Sequence, residues 1–280
     1  MRLVPDADCA SRDLIVLAPA DSRVPDSFLQ VEDNPQRHTA LLTEMQMLRG
    51  TVYLQDGAIT RSQLCANGRH RHPVDQKSWH LLAVARDGRV CGGARYRETS
   101  NRTAFSQLTI AVSSLAQSAV WGTKVRAAVE AELEEARQKD VAYVEFGGWA
   151  LAEELRCKIE GLRIALAVYS LAQTLGGCIG ISTATRRHRS SSILRRIGGL
   201  PLVADGMELP AYYDPQYGCE MEILRFDSNF PNPRYNRWIA QIRDHLRTVP
   251  VIRCNPAPAR QNQSRNAMYF LREQAASLSF

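Results

Sequence analysis

Apolar positions recur along the chain with two different periods. Leu41, Met45, Leu48 and Val52 fall on one stripe of a helix, as do Val125, Val129, Leu133 and Ala136, with Thr123 placed to cap the second. The apolar runs 79–85 and 89–96 flank Asp87-Gly88, which predicts a β-hairpin. Residues 141–146 read as a short buried strand closed by Gly147-Gly148. Gly161 precedes an almost wholly apolar helix over 162–175, which stops at Gly176-Gly177. A second buried strand is expected at 178–185 and a short helix at 190–197, ended by Gly198-Gly199. A strand pair, 208–213 and 217–226, turns around Asp214-Pro215, and a helix covers 235–248.

This order predicts an α/β (α+β) fold, a mixed central sheet with helices on both faces, in one domain over 38–250. Residues 1–37, with four prolines, read as an irregular leader apart from a strand at 14–18. Residues 251–280 read as a linker and tail with a short helix over 267–277. The stretch 55–78 is polar loop, and 98–120 follows neither period. A ligand is expected along 141–197, where strand, loop, helix, strand and helix alternate.

Composition narrows the function classes. At 280 residues, 45% apolar and 23% charged, the chain is long and apolar enough for a sizeable core, which excludes a disordered, collagenous or coiled-coil protein. No apolar run approaches the roughly 20 residues of a membrane helix, and the N-terminus lacks a charged-then-apolar signal pattern. Both point to the cytoplasm. Seven cysteines, an odd number without CxxC spacing, read as reduced thiols rather than a disulfide frame. His70 and His72 lack a third ligand at a recognisable spacing, so no metal is expected.

The net charge of +6 is unevenly spread. No acid stands between Glu160 and Asp205, whereas Arg163, Arg186, Arg187, Arg189, Arg195 and Arg196 all do. Such a face suits a coenzyme phosphate or an acidic carrier protein, unless it is simply solvated. Nucleic acid fits least, because no aromatic residues alternate with these arginines. Upstream, Arg156, Lys158, Gly161 and Arg163 surround the start of the apolar helix, where backbone N–H groups attract phosphate. Glu145 ends an otherwise apolar strand and is the candidate general base. Arg95 closes the hairpin and suits a carboxylate; Arg49, at the end of the first helix, is a second candidate. The plainer alternatives are a surface arginine for Arg95 and complement to a helix C-terminus for Arg49.

Residues 141–199 resemble the core of the GNAT acyltransferase superfamily. Lys158-Ile159-Glu160-Gly161-Leu162-Arg163 is similar to its Q/R-x-x-G-x-G/A pyrophosphate loop, with Arg163 at the last small position. Leu194-Arg195-Arg196-Ile197-Gly198-Gly199 is similar to its L-Y-x-x-x-G-F element, with Arg195 in place of the tyrosine. Arg49-Gly50-Thr51-Val52-Tyr53 resembles the R-x-x-V-F of autoinducer (acyl-homoserine-lactone) synthases. Glu145-Phe146-Gly147-Gly148-Trp149-Ala150-Leu151 resembles their E-x-S-R-F-A-V, with Gly148 where Arg stands. N-acyl amino acid synthases share this plan. The resemblance implies transfer of an acyl group to the amine of an amino acid or related molecule; a long chain is expected because the segments facing the presumed groove are rich in Leu, Ile and Ala. The donor would be acyl-CoA or the acyl-phosphopantetheine of an acyl carrier protein, with no bound cofactor. Glu145 would assist deprotonation, Trp149, Ala150, Leu151 and the following loop would hold the thioester arm, and Arg95 would orient the acceptor. Arg163 and Arg195 at departing positions leave a second reading, a module that binds acyl carrier or coenzyme without turnover.

Overall fold

The computed structural model describes residues 13–254, apart from Asp21, Asn101, Cys157 and the side chain of His188. Its elements run β1 (Asp13–Leu17), β2 (Val31–Asp33), α1 (Pro35–Gln55), β3 (Trp79–Val84), β4 (Val90–Thr99), α2 (Gly122–Gln138), β5 (Ala142–Leu151) and α3 (Ile159–Thr174). There follow β6 (Cys178–Thr185), α4 (Ser190–Ile197), β7 (Leu200–Pro201), β8 (Val203–Ala204), β9 (Met207–Glu208), β10 (Tyr212–Asp214), β11 (Cys219–Asp227), α5 (Asn236–Leu246) and β12 (Val251–Arg253). The main sheet has the order β10-β11-β6-β5-β4-β3-β1-β12-β2, with β7 on β11, and β8 and β9 form a separate ribbon.

Helices cover both faces of this mixed sheet. Helix α1 starts at Pro35 behind Asn34, whose side chain accepts from the Arg37 N–H at 3.0 Å. Its stripe of Leu41, Leu42 and Met45 packs with Leu17 and Leu82 of β1 and β3. Helix α2 buries Val125, Val129 and Leu133 against β5, β6 and β11. On the opposite face α3 packs Ile164, Ala167 and Leu171 under the central strands. Its other side meets α5 and Phe226.

Local boundaries moved where a neighbour took over a local role. Helix α2 begins before Thr123, because the Ser118 hydroxyl already accepts from the Val120 and Trp121 N–H groups, at 3.2 and 3.3 Å. The strand within the expected leader is interior: β1 lies between β3 and β12 with Leu14–Leu17 buried. Strand β12, expected as linker, pairs in parallel with both β1 and β2. The sheet therefore extends from 13 to 253, beyond the 38–250 boundaries on both sides. The helix expected over 267–277 lies outside the described residues.

The pair Gly147-Gly148 does not end β5. The strand continues to Leu151 along β4, with one extra residue: Arg95 faces Gly147 but Gly93 faces Ala150. Gly148 has φ +63°, the left-handed backbone of a bulge residue, and a Cβ there would lie 3.1 Å from the Arg95 Cβ. Beside it, β5 and β6 pair in parallel only over Ala142–Phe146 and Cys178–Ser182. Beyond Phe146, β5 follows β4 while β6 follows β11. The two strands thus fork in the middle of the sheet.

Candidate active site

A cleft of about 360 Å³ enters at this fork, reached by α1, β4, β5, β6 and the turn before β11. Its floor is charged. Arg49 projects from the buried stripe of α1 and is only 1% exposed. Its guanidinium grips Asp75 with both ends, Nη1 to Oδ1 at 3.0 Å and Nη2 to Oδ2 at 2.7 Å. Nη2 also donates to the His70 carbonyl at 2.5 Å. Asp75 receives further bonds from Gln46 Nε2 and the His72 N–H, both 2.9 Å, on Oδ2. Arg95 brings a second guanidinium, with Nη1 at 3.6 Å from Asp75 Oδ1. Gly147 gives it room: a Cβ there would stand 3.4 Å from Arg95 Nη2.

Burial opposes ionisation of Asp75, but the Arg49 hydrogen bonds and charge outweigh it and hold the carboxyl well below the usual carboxylate range. Burial, then the charge of Arg49, pushes Arg95 downward from the usual arginine range. His70, His72 and His80 are each lowered to about 4, first by burial and also by the neighbouring arginines, so they are neutral at pH 7. Two buried guanidiniums therefore share one carboxylate, leaving one unit of positive charge in excess at this end of the cleft. At the far end, Asp214 turns inward to accept from the Gln216 and Tyr217 N–H groups, at 2.9 and 3.2 Å.

The histidines make stability depend on pH. Their folded values lie below the unfolded one, so the unfolded chain binds more protons as pH falls below about 6.5. That stability is present above pH 6.5 and lost progressively toward pH 4. His80 is buried, with Nε2 donating to the Asp75 carbonyl at 2.7 Å. It alone should remove about 2 kcal/mol between pH 7.5 and pH 5. Half-buried His70 and His72 add smaller amounts. Denaturant unfolding at the two pH values checks this; equal stabilities would show that these imidazoles are not neutral in the fold.

Glu145 lies on β5 opposite Arg97 of β4, on the cleft side, and is 6% exposed. Oε2 accepts from Arg97 Nη1 at 2.6 Å and the Thr109 hydroxyl at 3.1 Å; Oε1 accepts from the Ile110 N–H at 3.1 Å. A carboxylate has about four acceptor positions, so about one remains, on Oε1. The same bonds pin the 3₁₀ turn Thr109–Val112 over the cleft.

Several expected site residues take other roles. Trp149 lines the cleft, but Ala150 is buried and the Leu151 side chain packs against Gly92 and Gly161. A Cβ at Gly161 would lie 2.9 Å from Leu151, so this glycine serves the close packing of α3 on β5. Arg156 pairs with Asp56 at 3.2 Å. Lys158 stands exposed at the start of α3, and half-buried Arg163 sits in its first turns, outside the lining. Two arginines of the basic run before and within α4 are paired with acids of β11. Arg186 pairs with Glu220 at 3.0 Å and Glu222 at 2.8 Å, and Arg195 with Glu222 at 2.7 Å. Arg187 donates to the backbone carbonyls of Asp56 and Gly218. Arg189 and Arg196 remain exposed. Asp75 is the central residue that the sequence pattern did not single out, although it is the sole acid between 57 and 78.

No family model and no curated protein sequence matches the chain. Among solved structures, that of BjaI, a CoA-dependent acyl-homoserine lactone synthase, with SAM and isopentyl-CoA, is similar with a TM-score of 0.51 at 13% identity. The match covers 89% of this chain and 96% of that one. The same protein with MTA gives a TM-score of 0.52 over the same shares at 13% identity. FeeM, an N-acyl amino acid synthase from uncultured soil microbes, gives 0.45 at 12% identity over 78% of this chain and 93% of that one. The expected mixed sheet with helices on both faces is thus also the fold of the BjaI structures.

Proposed function

We propose that the protein is an N-acyltransferase, moving an acyl group from a coenzyme A thioester to the amine of a small acceptor that carries a carboxylate. The observation that carries this is the position of the Arg49–Asp75–Arg95 cluster at the floor of a fork in the sheet. The fork leaves the β5 backbone beyond Phe146 without β6 as a ladder partner, and these groups suit the amides of a thioester arm. The excess positive charge suits an acceptor carboxylate, held by Arg95. It disfavours an additional cation, such as the sulfonium of the SAM in the BjaI structure.

In this reading the amine nitrogen attacks the thioester carbonyl. Glu145 Oε1 takes the amine proton, directly or through a water. Backbone N–H groups near the Gly148 bulge meet the oxyanion, the C–S bond breaks, and coenzyme A leaves as thiolate, to be protonated from solvent. Coenzyme is taken as the donor because the similar BjaI structure is that of a CoA-dependent synthase with isopentyl-CoA.

Incubation with acyl-CoA and separate amines, following thiol release and product mass, tests the reading. Carboxylate-bearing amines should be acylated and their decarboxylated counterparts should not. No thiol release with any amine would overturn it and favour a non-catalytic binding module. Glu145→Gln should lower kcat by about 100-fold or more, leaving acyl-CoA affinity unchanged; unchanged turnover removes Glu145 from the mechanism.

A further inference from the structure

A second, smaller cavity of about 60 Å³ opens beneath the fork on the α3 side. Arg95, Phe146, Gly147, Trp149, Ser182 and Leu194 wall both this cavity and the cleft, so a carbonyl at the fork has its acyl tail directed here. Ala94, Ala165 and Ala172 contribute small side chains to the lining. Aromatic rings also line it and stand edge to face, Phe146 on Phe226 at 5.4 Å and Tyr169 on Phe226 at 5.9 Å between centroids.

This aromatic wall is backed by main chain. A Cβ on Gly198 would lie 2.7 Å from the Tyr169 hydroxyl, and one on Gly199 would lie 2.8 Å from Phe226 Cζ. The turn after α4 thus presses both rings from behind. Phe226 and Tyr169 are each 5% exposed. They cannot retreat from a longer tail without displacing that turn, and overpacking of a closed core is costly.

We infer that Phe226 and Tyr169 are the stop that sets acyl length, restricting the donor to a short chain. This rests on the acyl-transfer reading and names its donor class. A cavity of about 150 Å³ holds benzene, so about 60 Å³ holds two or three carbons, which with the carbonyl and α-carbon at the fork makes about four or five. The long chain expected from the apolar composition of these segments does not fit: those residues fill the core instead.

Calorimetric titration with free coenzyme A, acetyl-, butyryl-, hexanoyl- and decanoyl-CoA tests the inference without knowledge of the acceptor. Butyryl-CoA should bind about tenfold or more tighter than free coenzyme, since each buried methylene contributes about a fourfold gain. Decanoyl-CoA should bind at least tenfold more weakly than butyryl-CoA. Tyr169→Leu and Phe226→Leu should move the optimum to hexanoyl-CoA or longer; if either fails to fold, the parent ladder still decides. Decanoyl-CoA binding as tightly as butyryl-CoA, or affinities independent of length, would overturn the stop alone. Failure of every species, free coenzyme included, would overturn the donor reading and the stop with it.

Discussion

Asp75→Asn should lower the stability of the protein by about 3–5 kcal/mol, about a fifth or more of what a domain commonly has. The side chain is 2% exposed and receives both ends of Arg49, with Arg95 beside it. An amide of the same shape still accepts through one oxygen, but it leaves two buried guanidiniums with no counter-charge. Its NH₂ would also face donors. A surface pair offers the contrast. Arg186 and Glu220 are more than half exposed, and Glu220→Gln should change stability by less than about 1 kcal/mol. Urea unfolding of both variants checks the difference. Equal midpoints for Asp75→Asn and the parent would mean that Arg49 and Arg95 are solvated in the fold, which would remove the basis for an anion site there.

What the sequence disclosed, and what it withheld, follows from the range of the interactions. Asp87-Gly88 specified its hairpin because a tight turn is set by adjacent residues. Helix α4 and strand β6 matched their expected spans because glycines and apolar runs mark their ends locally. Strands β1 and β12 are joined across more than 230 residues, and nothing in either short segment announces the other. Arg186 and Arg195 read as part of a free basic face because their partners, Glu220 and Glu222, arrive on β11. Glu145 was legible as an acid ending an apolar strand, but its three donors come from β4 and the following turns. Asp75 lay in a polar loop without periodicity. Its isolation as the one acid there, facing the buried arginine of α1, was the available signal.

Arg95→Gln should lower kcat/KM for the amine acceptor by about 100-fold or more while leaving the protein at least as stable as the parent. The two effects have one cause. Arg95 is buried next to Arg49, and burial and that like charge both disfavour its ionised form. Its Nη1 reaches Asp75 only at 3.6 Å, because Arg49 already holds that carboxylate with both ends. Removing Arg95 relieves the excess charge, so the empty fold gains. An acceptor carboxylate would supply the missing counter-charge, so the loaded site loses one of its strongest contacts. Arg95→Lys should recover acceptor binding only in part, because an ammonium cannot form the planar two-point contact. Affinity for free coenzyme A should stay the same in both variants, which separates an acceptor role from damage to the fork. If acceptor kcat/KM were unchanged, or if stability fell as far as in Asp75→Asn, Arg95 would be part of the frame rather than a group kept under strain for an anion.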